Sequence, residues 1–172
     1  MCTLCYNLIT CELSCACTYT PRAHTFANAP HVPQFRIDVA VNPNDTEEAI
    51  WAFISEKKLG QSVAKPLLRV GRDTRAVMRS AYALFESGQE SATEALAAYA
   101  RACTPAGDSN SNSLHDEFYA QLYLGLHAES QGHAAKARAH ITAATGTAYG
   151  RESKDYMVAL ARVHMQVRGW TE

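Results

Sequence analysis

From Asp45 onward, apolar residues recur along the chain at helical spacing. Ile50, Phe53 and Ile54, with Trp51 at the edge, line one face of a helix. The capping-box pair Asp45 and Glu48 opens it and Gly60 stops it. Residues 62–70 predict a short helix, limited by Pro66. Val77, Ala81, Leu84 and Phe85 predict an inward face between a capping Asp73 and a terminating Gly88. Ser91 and Glu94 form a second capping box, ahead of a helix carrying Ala95, Leu96, Tyr99 and Ala102. The polar run at 104–113 reads as an exposed loop. Tyr156, Leu160, Val163 and Val167 make a last amphipathic helix, capped by Ser153 and closed by Gly169. Ahead of this body, prolines at 21, 30, 33 and 43 forbid a continuous helix, and residues 35–41 alternate only weakly, so they read as linker. The expected architecture is an all-α stack of antiparallel helix hairpins over 44–170, preceded by an irregular leader and linker over 1–43.

The most informative stretch is FYAQLYLGLHAESQGHAAKARAHITAA at 118–144. Leu124 and Gly125 fall mid-way along one helix, Gly132 ends it, and Ala137, Ile141 and Ala144 follow at spacings of four and three on a second. Gly125 and Ala137 leave room for two backbones to cross, with Leu124 and Ile141 filling the space around them. This pattern resembles the tetratricopeptide repeat: an aromatic, Leu-Gly, a turn Gly, then Ala, a large apolar residue and Ala. Ala81, Gly88 and Tyr99 form a weaker copy with two extra residues. The small anchors Ala81, Gly125 and Ala161 stand 44 and 36 residues apart, against a repeat period of about 34, so the array is degenerate. The last helix reads as a third, unpaired first helix or as a terminal cap.

The resemblance implies a binding scaffold whose groove is lined by the first helix of each pair. The residues it places there are Arg75, Met78, Tyr82 and Phe85, then Tyr119, Leu122, Leu126 and Glu129, and finally Asp155, Val158 and Arg162. Leu122 and Leu126 stand where family members that clamp a carboxylate carry basic or amide residues, so the implied occupant is an amphipathic helix or an extended apolar peptide. Two repeats are few for independent stability, which favours membership of a larger complex.

Composition narrows this picture. The chain has 172 residues, 47% hydrophobic and 19% charged, which suits one globular domain. Sixteen basic against seventeen acidic residues give a net charge of −1, with no long-range attraction for nucleic acid. No apolar run approaches the roughly 20 residues of a membrane span.

Five of the six cysteines (Cys2, Cys5, Cys11, Cys15 and Cys17) crowd the first seventeen residues. A disulfide framework would spread them, so a reducing intracellular compartment is expected. The leader is rich in Ser, Thr and Ala with Glu12 as its one acid before residue 21, the composition of a weak plastid transit peptide. The scarcity of Arg argues against a mitochondrial one. A chloroplast address is the corresponding expectation. Cys2 and Cys5 with Cys15 and Cys17 offer an alternative: a small regulatory or enzymatic domain with a zinc site, although the second knuckle is CxC rather than CxxC. S-acylation of Cys2 and Cys5 is a further alternative, without a second membrane signal.

Other candidate chemistry is thin. His133 and His140 are about 10.5 Å apart along a helix axis, too far to share one ion. Glycines and basic residues at 146–154 lack the Walker spacing and a preceding strand, so they read as a loop and helix cap. No catalytic residues, metal or cofactor are expected. The function expected is a non-catalytic adaptor or assembly subunit with a protein partner.

Overall fold

A computed structural model describes residues 31–58, 67–103 and 111–170, all of whose regular structure is helical. Eight helices are present among the described residues: α1 (His31–Val41), α2 (Thr46–Lys58), α3 (Ala76–Ser87), α4 (Glu90–Cys103), α5 (Ser111–Ser130), α6 (Ala134–Gly146), α7 (Ala148–Glu152) and α8 (Tyr156–Val167). They belong to two compact units divided between Thr74 and Arg75.

In the first unit α1 packs against α2. The segment expected as linker is therefore helical. Pro33 lies in the first turn of α1, where its missing N–H has no intrahelical acceptor to lose. Among the described side chains of α1, Phe35 and Val39 are buried, whereas Ile37 and Val41 are exposed. With apolar residues on both sides, α1 shows no single-face pattern. At the head of α2 only half of the expected capping box forms. Asp45 Oδ1 accepts from the Glu47 N–H at 3.0 Å. The Asp45 N–H is taken by the Asn42 carbonyl, so Glu48 does not reach back to it. Trp51 is buried rather than at an edge, and Phe53 is only half-buried, with Lys57 Nζ 5.8 Å above its ring. Asp73 is buried and accepts from the Thr46 N–H at 3.2 Å. It therefore serves the start of α2, while the N-cap position of α3 belongs to Arg75. Residues 67–70 are not helical. Gly60 and the rest of the expected short helix lie outside the described residues, as do Cys2, Cys5, Cys11, Cys15 and Cys17.

In the second unit consecutive helices pack as hairpins. The 20-residue α5 contacts α3, α4, α6 and α7, and α8 lies on α6. Helix α5 starts at Ser111, inside the segment expected as loop. From Phe118 to Ala128 every residue except Gln121 is buried. A helix apolar on all sides belongs in the middle of a bundle.

Gly125 shows why α5 and α6 approach so closely: a Cβ there would stand 2.5 Å from Ile141 Cγ1 and 3.2 Å from the Ala137 carbonyl oxygen. Ala137, Ile141 and Ala144 are fully buried, as the sequence pattern requires. Gly132 ends α5 at φ +80°, with its own N–H on the Glu129 carbonyl and the His133 N–H on that of Ala128. This is a Schellman turn, which needs a left-handed residue. Gly169 ends α8 in the same way.

The flanking helices depart further from expectation. Helix α4 starts at Glu90, which puts Ser91 inside the first turn. Leu96 and Ala100 are its buried residues, with Ala95 and Ala102 exposed. On α8 the buried face is Met157, Val158, Leu160, Ala161 and His164, and Tyr156 is exposed.

Candidate functional site

The residues expected to line a groove divide into two groups. Met78, Phe85, Tyr119, Leu122, Leu126 and Val158 are buried, with Met78 and Leu122 fully so. Arg75, Tyr82, Glu129 and Asp155 are half-buried and Arg162 is exposed. The buried apolar members are core side chains. Phe85, for example, meets Tyr123 edge-on at 6.4 Å and His127 at 5.1 Å. Treating one side of α5 as solvent-facing does not fit its uninterrupted apolar stretch.

Two of the polar members are tied into the joints of the second unit. Asp155 is the N-cap of α8: its Oδ1 accepts from the Met157 N–H at 2.9 Å. Its Oδ2 accepts from the hydroxyls of Tyr119 and Tyr149, each at 2.9 Å. The expected cap, Ser153, instead accepts from the Asp155 N–H at 3.1 Å. One carboxylate thus joins α5, α7 and α8. Burial, and then the neighbouring Asp155, push the Tyr149 hydroxyl upward, so it remains a neutral donor.

A second knot adjoins this one. His115 packs 4.4 Å from the Tyr119 ring and 5.3 Å from that of Tyr149. Its Nδ1 lies 3.0 Å from Asp116 Oδ1, and Asp116 Oδ2 accepts from the Tyr99 hydroxyl at 2.7 Å. Burial and Asp116 push Tyr99 up to about 12. The Cys103 thiol is likewise pushed upward, by burial and by Asp116 and Glu117, away from the thiolate a nucleophile requires.

At the other end of α5, Glu129 pairs through Oε2 with His164 Nε2 at 2.6 Å and through Oε1 with Arg168. The His164 ring is buried and meets Trp170 at 5.6 Å. Arg162 Nη2 donates to the Gly150 carbonyl at 2.8 Å and to that of Arg151 at 3.1 Å. In the loop considered for phosphate, Thr147 Oγ1 already accepts from the Gly150 N–H at 2.9 Å. No group of three or more His, Cys, Asp or Glu side chains suited to a metal ion occurs among the described residues.

Apart from Glu129, Asp155 and Arg162, whose contacts are given above, the accessible part of the expected binding face lies along α3. Arg75, Arg79, Tyr82 and Glu86 follow at spacings of four, three and four, one side of that helix, with Arg79 and Glu86 exposed. Arg79 and Glu86 were not singled out in the sequence, although their spacing from Arg75 and Tyr82 was there to be read.

No family model, characterised protein or solved structure matches the chain. Among the described residues, no helix is long and apolar enough to cross a membrane.

Proposed function

We propose that this chain is a non-catalytic helical scaffold or assembly subunit, built on the plan of the tetratricopeptide proteins it resembles, and that it holds a protein partner through α3. The observation that carries this reading is the division of the expected binding residues. The apolar ones on α5, Tyr119, Leu122 and Leu126, are core, while Arg75 and Tyr82 of the α3 segment are half-buried beside the exposed Arg79. Arginine and tyrosine are the residue types that most often dominate the energy of a protein interface. Arg75, Arg79 and Tyr82 along one side of a helix suit a partner segment that carries carboxylates beside an apolar side chain. The polar knots at Asp155, Asp116 and Glu129 support the same reading, because they secure helix joints and so present α3 on a preorganised body. Preorganisation lowers the ordering cost of docking.

The test is recovery of partners from the native source with the full chain, comparing wild type with an Arg75→Glu/Tyr82→Ala variant that circular dichroism shows to be folded. Loss of a specific partner from the folded variant supports the reading. Retention of every partner contradicts it. The leader composition supports a plastid address for such a scaffold, which imaging of a fluorescent fusion of the full chain checks.

A further inference from the structure

The first unit holds a group with no role in the proposal above. Glu48 Oε2 is a buried oxygen, and among the described residues it meets no hydrogen-bond donor. Every described side chain that acts on its charge is acidic, against a weaker opposing influence from the terminal amino group. Asp38 comes from α1, Asp45 from the connection between α1 and α2, and Glu47 from α2 itself. Asp73, from the segment after α2, reaches the adjacent Thr46 N–H. The nearest described basic groups along α2, Lys57 and Lys58, are nine and ten residues on, about 14 Å along the axis. Arg36 of α1 is paired with Glu56, toward that same far end.

A carboxylate in this position faces Asp38 with no compensating donor among the described residues, whereas a carboxylic acid carries no charge to repel. Two other polar atoms in the following turns of α2, Trp51 Nε1 and Ser55 Oγ, are also buried without a partner among the described residues. Among the described residues, α1 is seated on α2 through Phe35, Val39 and the Arg36–Glu56 pair.

We propose that Glu48 is a proton-operated latch for α1: with its carboxyl protonated α1 stays seated on α2, and with the carboxyl ionised, repulsion from Asp38 releases α1. Burial first, and then Asp38, Asp45 and Glu47, push this carboxyl from 4.5 up to about 7. A raised acid binds its proton more tightly in the seated state than in the open one. Its contribution is therefore full below about 4.5 and is lost as pH rises through about 7. The latch would work across the neutral range.

Two measurements on the full chain test it. Carbon-detected NMR of the Glu48 side chain should show a titration near neutrality, moving to lower pH in Asp38→Asn. Hydrogen exchange of the Phe35–Val41 amides, corrected for the intrinsic pH dependence, should show opening that increases at most about tenfold between pH 6 and 8. That increase should vanish in Glu48→Gln. A Glu48 titration in the ordinary carboxylate range overturns the proposal, as does the same pH dependence of opening in Glu48→Gln. If Glu48→Gln does not fold, the wild-type titration and the Asp38→Asn exchange profile decide alone: an unshifted midpoint and an unchanged profile count against the latch.

Discussion

Gly125 and Ile141 hold the two longest-packed helices of the second unit at a separation that admits no side chain at position 125. A Cβ on Gly125 would lie 2.5 Å from Ile141 Cγ1 and 3.2 Å from both the Ala137 carbonyl oxygen and the Ile141 nitrogen. A rotamer change cannot relieve contacts with backbone atoms, so α5 and α6 must move apart to accept the methyl group. Gly125→Ala gains about 1 kcal/mol of helix propensity. Overpacking costs about 1–3 kcal/mol. The expected net result is destabilisation of about 1 kcal/mol in urea unfolding. Ile141→Ala removes the closest contact. The double variant should therefore be more stable than the sum of the two single effects implies.

Asp155 combines a helix cap with the acceptor for two phenols. Asp155→Ala should cost about 2–3 kcal/mol, from the lost cap and the stranded Tyr119 and Tyr149 hydroxyls. Asp155→Asn retains an acceptor at the N-cap and should cost clearly less. Chemical denaturation of both variants beside Tyr119→Phe separates the cap from the phenol bonds.

Glycines in different conformations should respond in opposite directions. Gly132 has φ +80° with open space around it, so Gly132→Ala should cost about 1 kcal/mol through backbone strain alone. Gly146, the last residue of α6, has no positive φ, and a Cβ there would meet nothing within 4 Å. Gly146→Ala should stabilise by about 0.5 kcal/mol by restricting the unfolded chain. Thermal unfolding of the pair gives the two signs directly.

Glu129 pairs with His164 through one carboxylate oxygen and accepts from the Arg168 guanidinium through the other, linking α5 to the end of α8. Glu129→Ala removes the acceptor for a buried imidazole and should cost about 2 kcal/mol. Its effect should appear first as lost hydrogen-exchange protection in α8, because that helix is anchored from this side.

The α5–α6 hairpin was the most legible part of the sequence. Ala137, Ile141 and Ala144 share one helical face, and Gly132 has the residue type a Schellman turn demands. Both are local properties. The sequence also pointed to the inward face of α3, at Val77, Ala81, Leu84 and Phe85, because that helix has a single apolar side. Helix α1 was not legible: its apolar residues lie on opposite sides, and Pro33 read as a breaker although it occupies a permitted first-turn position. The exposure assigned to Leu122 and Leu126 came from the resemblance. The unbroken run from Phe118 to Ala128 was the available sign that α5 has no solvent face. Capping at Asp155 rather than Ser153 turned on two tyrosines distant in sequence, Tyr119 and Tyr149, and no local pattern encodes that choice. Glu48 is similar, since its environment depends on Asp38 across the helix pair.

The most direct test of the account compares two variants of the full chain by circular dichroism, thermal unfolding and partner recovery: Leu122→Glu/Leu126→Glu and Arg75→Glu/Tyr82→Ala. If α5 is core and α3 is the binding face, the leucine variant loses helix content and cooperative unfolding, while the α3 variant stays folded and loses its partner. A leucine variant that remains fully folded and specifically loses the partner would contradict the account and restore α5 as the wall of a groove.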